Sequence, residues 1–263
     1  MAVTDEVRVE DRGAVRWVTL NRPETRNSLT LEVNAQVIEA VKTAEQLESL
    51  RVVVLTGVGG AFCSGLDLNS VAQMGVSPAE YGPFLDSHFH GLIRAVQNCP
   101  KPVVAVVDGP AVGYGCDLAL ACDLRICSDR ARFGEIFVKR GLMPDGGGTY
   151  LLTRLVGLGR ALELMLTGDI ITADEALRIG MVNRVFPVAE LQAAAEMYLG
   201  KLALGAPLVH RAVKRAAYGA LEGNLESALK VEREQQVKLL GSADFMEGLQ
   251  AFMEKRPPAF TGS

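Results

Sequence analysis

Apolar and polar positions recur along this chain in two rhythms, which divide it into strands and helices. Arg16-Trp17-Val18-Thr19-Leu20 reads as a strand. Between Leu31 and about Leu50, Val33, Val37, Ile38, Val41, Ala44 and Leu47 return at helical spacing, with Thr30 placed to cap that helix. Arg51-Val52-Val53-Val54-Leu55-Thr56 and Pro102-Val103-Val104-Ala105-Val106-Val107 are apolar without alternation, as strands buried on both faces are. Strand, helix, strand, turn, helix is the rhythm of βαβ units, so the expected class is α/β.

The pattern weakens over 69–100, which is polar and irregular, with Pro78, Gly82 and Pro83, before a helical stretch around His90 to Val96. Thr172-Ala173-Asp174-Glu175 predicts a capping box, Gly180 the stop of that short helix, and Met181 to Phe186 one more strand. From about Pro187 the character changes. Pro207 opens a helix through Ala220, Asn224 opens another through Leu240, and Asp244 is positioned to cap a third through Lys255. Three consecutive helices with no strand between them predict a separate lobe.

Two Gly-rich turns carry the chemistry. Gly57-Val58-Gly59-Gly60-Ala61-Phe62-Cys63-Ser64-Gly65-Leu66-Asp67-Leu68 follows the first apolar strand, and Asp108-Gly109-Pro110-Ala111-Val112-Gly113-Tyr114-Gly115-Cys116-Asp117-Leu118 follows the second. Glycine lets backbone approach a ligand closely, and a helix start leaves N–H groups unpaired. Two such amides converging on one point form an oxyanion hole, which stabilises negative charge developing on a carbonyl oxygen.

Composition narrows the field. The 263 residues suffice for one large domain, or a core with a smaller lobe, and 49% hydrophobic with 22% charged residues is an ordinary globular balance. No apolar run has the length of a membrane span, and Met1-Ala2-Val3-Thr4-Asp5-Glu6 is too acidic for a signal peptide. Five scattered cysteines without a Cys-x-x-Cys pair argue against a disulfide framework or structural zinc and fit a reducing, cytoplasmic setting. A net charge of −4 argues against nucleic acid as a partner.

The turns resemble those of the crotonase superfamily, the enoyl-CoA hydratase/isomerase family. The resemblance begins at Leu20-Asn21-Arg22-Pro23-Glu24-Thr25-Arg26-Asn27-Ser28-Leu29 and takes in Ala121-Cys122-Asp123-Leu124-Arg125 and Gly141-Leu142-Met143-Pro144-Asp145-Gly146-Gly147-Gly148-Thr149. It continues through Leu166-Thr167-Gly168-Asp169 to Ala251-Phe252-Met253-Glu254-Lys255-Arg256-Pro257-Pro258-Ala259-Phe260, nearly the whole chain. It implies a spiral of ββα units holding an acyl-CoA site over 1–200. It also implies a C-terminal helical lobe over 201–263 that associates into homotrimers, often paired as hexamers. Residues 69–100 would form a variable wall of the acyl pocket.

By the same resemblance, Leu66 and Tyr114 contribute the oxyanion-hole N–H groups, although glycine is common where Tyr114 stands. Asp117 matches the first catalytic glutamate of family hydratases; alone, it reads equally as a helix N-terminal carboxylate. Asp145 matches a catalytic aspartate of several family branches, and alone it reads as an N-cap. The second hydratase glutamate should come four residues after Phe133, where Phe137 stands. Glu135 precedes it by two, so on a continuing strand it would share the parity of Phe137 but lie a full repeat away, and only a local shift would bring it in to replace the missing glutamate. Arg26, Ser28, Ala61, Ser64, Gly65, Asp67, Leu68 and Gly115, with Phe137, match positions of the CoA and acyl site. Phe252 and Lys255 match too, from this subunit or a neighbour, or else belong to an amphipathic packing helix.

His88 and His90 lack a third metal ligand at suitable spacing and read as polar loop residues. Cys63 beside Ser64 has no histidine near it and reads as part of a buried turn. Phe62 breaks the Rossmann fingerprint, and no Gly-Lys-Ser/Thr marks a P-loop. The expectation is an enzyme acting on an acyl-CoA thioester through a stabilised enolate, with no metal or redox cofactor. Double-bond isomerisation ranks above hydration, because Phe137 cannot activate water. A non-catalytic acyl-CoA binder and a hydrolase or C–C bond-cleaving enzyme are the other classes left open.

Overall fold

The computed structural model describes residues 5–73 and 75–263. β1 (Val7–Arg12) pairs antiparallel with β2 (Val15–Leu20); only its first residue is buried, so hydrophobicity does not announce it. α1 (Leu31–Gln46) begins at Thr30, whose Oγ1 accepts the Val33 N–H at 3.2 Å, and stops short of Leu50 because Leu47 turns extended. β3 (Val52–Gly57) follows. The 69–100 stretch is more helical than its sequence pattern suggests, giving α2 (Leu68–Gln73), α3 (Pro78–Ser87) and α4 (Phe89–Asn98). α2 and α3 bury no residue fully and set only the partly covered Val71, Phe84 and Leu85 against the core, whereas α4 buries Phe89, Leu92, Ala95 and Val96.

Next come β4 (Val103–Val107), β5 (Pro110–Val112), α5 (Tyr114–Ala121), β6 (Leu124–Ser128) and β7 (Arg132–Gly134). A 3-10 turn (Ile136–Arg140) leads to α6 (Gly148–Val156), α7 (Leu158–Thr167), β8 (Ile171–Thr172), α8 (Ala173–Arg178) and β9 (Arg184–Phe186). The chain ends with α9 (Leu191–Ala203), α10 (Pro207–Ala220), α11 (Leu225–Leu240) and α12 (Ala243–Glu254). Six strands form one sheet in the order β1-β2-β3-β4-β6-β9, parallel from β2 onward, and β5-β7-β8 form a second. The unbroken apolar strands are thereby explained. Val53, Leu55, Val103 and Ala105 face a core shared with α1, α4 and α5, while Val52, Val54, Val104 and Val106 face Leu191, Ala195 and Leu199 of α9.

Four local expectations need correction. α9 makes the helices after β9 four rather than three; it is alanine-rich and covers the back of the sheet, and residue 200 falls inside it. The strand expected over 181–186 shrinks to its last three residues, because Met181 and Val182 turn their amides to the Ala176 carbonyl and enter the core. Thr172 caps α8 by accepting the Glu175 N–H, but Glu175 pairs with Arg178 instead of completing the box. Ser242, not Asp244, caps α12; Asp244 is buried and accepts the Thr261 and Gly262 N–H groups, fastening the C-terminal tail.

Asp123 attaches α10 to the core. Its carboxylate accepts from Lys214 Nζ at 2.8 Å, Tyr218 Oη at 2.8 Å and the Val103 N–H at 2.7 Å. Removing one partner of a largely buried pair strands the other's charge. Asp123→Asn is therefore expected to cost about 3 kcal/mol of stability, read as a lowered urea midpoint with faster amide exchange in α10. Val213, Leu225, Val237, Phe252 and Met253 leave exposed apolar surface on α10 to α12. Among the described residues no helix is long and apolar enough to cross a membrane.

Candidate active site

The two Gly-rich turns are laced together by short parallel bridges. Leu29 pairs with Leu66, and Cys63 pairs with Ala111. Leu29 donates to the Gly65 carbonyl and accepts from the Asp67 N–H, each at 2.9 Å, which turns the Leu66 amide away from that partner. Cys63 donates to the Pro110 carbonyl and accepts from the Val112 N–H, each at 3.1 Å. The first turn thus lies against the start of α5, where a Cβ on Gly65 would stand 3.4 Å from the Tyr114 nitrogen. A Cβ on Gly115 would overlap the Cys63 carbonyl oxygen, so only glycine allows this approach. Among the described residues neither the Leu66 nor the Tyr114 amide meets a hydrogen-bond acceptor.

Three carboxyl groups gather beside these amides. Asp117, in the first turn of α5, is fully buried; its Oδ2 accepts the Gly146 N–H at 2.8 Å and its Oδ1 has no partner. Glu135 corrects the sequence reading. The strand ends at Gly134, and Glu135 (φ −86°, ψ 69°) enters the 3-10 turn, so strand parity does not apply to it. Its side chain is 1% exposed, beside Asp117 and Cys116, with neither oxygen hydrogen-bonded to a donor in place. A Cβ on Gly148 would overlap Asp117 Oδ1 and stand 3.2 Å from Glu135 Oε1, so both carboxyls converge above that glycine.

Asp145 is half-buried, its Oδ1 has no partner, and its charge reaches both Asp117 and Tyr114. It is not the N-cap of α6, a position taken by Gly147. Burial raises all three carboxyls above the ordinary range, reinforced at Asp117 by Glu135 and opposed at Asp145 by His90. His90 is not a loop residue: it lies on α4, with Nε2 2.9 Å from the Asp145 carbonyl oxygen and Nδ1 3.1 Å from Asp86 Oδ1. His88 bonds locally to Ser87 and the Phe84 carbonyl. Phe137 is buried in the 3-10 turn, and Cys63 is buried with its thiol pushed up to about 12, far from a nucleophile.

The Tyr114 phenol is 1% exposed; its Oη donates to the Phe89 carbonyl at 2.5 Å and its ring meets Phe89 edge-on at 5.5 Å. The positions expected to hold CoA are divided. Asp67 accepts from Ser28 Oγ at 3.1 Å, from Arg22 at 3.2 Å and from the Ser70 N–H at 3.1 Å, which braces the turn and caps α2. Ser64 Oγ donates to the Thr25 carbonyl, and Ala61 is buried, while Arg26 and Leu68 are exposed. Phe252 and Lys255 sit exposed at the end of α12, which packs on α11 rather than on these turns.

Residues 10–263 match the family model described as enoyl-CoA hydratase/isomerase. The chain belongs to the enoyl-CoA hydratase/isomerase family. A probable enoyl-CoA hydratase of Rhodobacter capsulatus is 39% identical over 97% of this chain and 98% of its own length. The 1,2-epoxyphenylacetyl-CoA isomerase of Escherichia coli is 38% identical over 94% and 95%. The short-chain-enoyl-CoA hydratase of Clostridium acetobutylicum is 35% identical over 96% of each chain. A crystal structure of enoyl-CoA hydratase from Bacillus anthracis superposes with a TM-score of 0.93 at 35% identity, covering 98% of this chain and all of that one. The two-sheet core followed by C-terminal helices is therefore the crotonase fold, and the chain is a crotonase-type enzyme.

Proposed function

We propose that this family member isomerises the double bond of an enoyl-CoA thioester, with Asp145 carrying the proton. The observation that bears most weight is Asp145 itself. It is the member of the carboxyl cluster only half-buried, it has an unpartnered oxygen, and it neighbours Tyr114, whereas the second hydratase position holds the apolar Phe137. The thioester carbonyl would rest between the Leu66 and Tyr114 N–H groups. Polarised there, it acidifies the neighbouring carbon, and the enolate charge stays where donors await it. Asp145 removes one proton and returns one at the other end of the allylic system, so the formula of the substrate is unchanged. Arg26 suits the CoA phosphates as a free cation, and the exposed apolar face of α10 to α12 suits a homotrimer or hexamer.

Hydration is the second reading, favoured by the approach of Glu135 to Asp117, which restores a pair of carboxyls. Purified protein given a 3-enoyl-CoA should produce the conjugated 2-enoyl-CoA, followed by the absorbance of the conjugated thioester. A 3-hydroxyacyl-CoA formed from the 2-enoyl ester, without movement of the double bond, would replace isomerisation by hydration.

A further inference from the structure

We propose that Glu135 is a positioning residue that shares one proton with Asp117, holding Asp117 in its acid form and leaving Asp145 as the base. The argument starts from unpartnered atoms. Asp117 Oδ1 and both Glu135 oxygens are buried and without a donor, although buried polar groups normally find partners. The groups facing the pair are Cys116 and Tyr114 of α5 and Asp145 before α6; His90 and Tyr81 reach only Asp145. No lysine or arginine is among them. Two ionised carboxyls in contact there would be like charges without a counterion, so the pair retains a proton at neutral pH.

The proton's place follows from the remaining bonds. Asp117 Oδ2 accepts the Gly146 N–H and the Gly148 N–H also lies close to this carboxyl, so Oδ1, the oxygen that converges with Glu135 above Gly148, is the one placed to share the hydrogen. The Cys116 thiol lies beside Glu135 without meeting it in hydrogen-bonding geometry. One proton on Asp117 therefore satisfies its own Oδ1 and one Glu135 oxygen, two of the three atoms that otherwise stand unpartnered. An acid held this way cannot begin turnover as a base. The use of this assignment in catalysis rests on the isomerase reading; the shared proton does not.

Infrared spectroscopy of ligand-free protein tests it without reference to turnover. The protein is titrated in an Asp145→Asn background, so that Asp145 does not contribute. A protonated carboxyl C=O band, shifted by H/D exchange and by 13C at the aspartate side-chain carboxyl, should persist at neutral pH. Adding Glu135→Gln, which keeps shape and removes charge, should make the band vanish at a lower pH. No band at neutral pH, a band moved by labelled glutamate instead, or an unchanged titration in Glu135→Gln would each overturn the proposal. Double-bond migration would be measured separately, so failure of one assignment leaves the other intact.

Discussion

Asp145→Asn is expected to lower kcat by about 10²–10⁴, the usual worth of a positioned proton-transfer group, with KM for the CoA ester little changed. The amide preserves the shape of the side chain, and the backbone carbonyl bonded to His90 Nε2 is untouched. Because α6 is capped at Gly147 and not at Asp145, the fold should survive the change. Steady-state kinetics with a circular dichroism check would read both parts, and unchanged kcat would make Asp145 a bystander. The pH dependence has a definite sign. Burial raises the Asp145 carboxyl, and only its ionised form accepts a proton, so wild-type activity should fall as pH drops through that raised value. The same limb should be missing from the residual activity of the asparagine variant.

Gly115→Ala should cost nearly as much from a position that carries no reactive group. Its new Cβ would overlap the Cys63 carbonyl oxygen and stand 2.7 Å from the Cys63 carbonyl carbon and 2.8 Å from its Cβ. Those neighbours include backbone held by two hydrogen bonds to the second turn, so the turns themselves must separate. Separation pulls the Leu66 amide away from the Tyr114 amide. Loss of one such donor costs about 2.7–4 kcal/mol of transition-state stabilisation, or about 10²–10³ in kcat. Gly159→Ala is the control, since nothing lies within 4 Å of its added Cβ on α7. It should leave kcat unchanged, and equal losses in both variants would refute the convergence argument.

The parts of this fold legible in the sequence are those whose burial is written into local pattern. Val52 to Leu55 and Val103 to Val107 are buried on both faces, so their unbroken apolar runs name central strands directly. Thr30, Pro207 and Asn224 mark helix starts because capping and proline geometry are local. α3 is illegible because it buries no residue fully, only half-covering Phe84 and Leu85, and α9 because two of its four buried positions are small alanines.

The candidate site divides in the same way. Leu66, Tyr114, Asp117 and Asp145 stand in motifs that can be read in order, and the structure gathers them. Glu135 could be named only as an alternative, because the local shift that brings it in is the end of the strand at Gly134, where Ile170 Cγ1 and Ile136 Cγ2 would crowd even a methyl group. The turn that follows sends the side chain inward beside Asp117. His90 escaped because its partner carbonyl lies 55 residues away, a contact that only the tertiary fold creates.

The central claim is that this site moves a proton and does not add water. Mass spectrometry of CoA esters incubated with the protein in H₂O and in D₂O tests it directly, using 2-enoyl, 3-enoyl and dienoyl substrates. The account predicts unchanged mass in H₂O, deuterium incorporation in D₂O and a displaced double bond, with the deuterium uptake and the bond displacement strongly slowed in Asp145→Asn. A gain of one water on a 2-enoyl ester, retained in Asp145→Asn, would contradict it and assign the chemistry to Asp117 and Glu135.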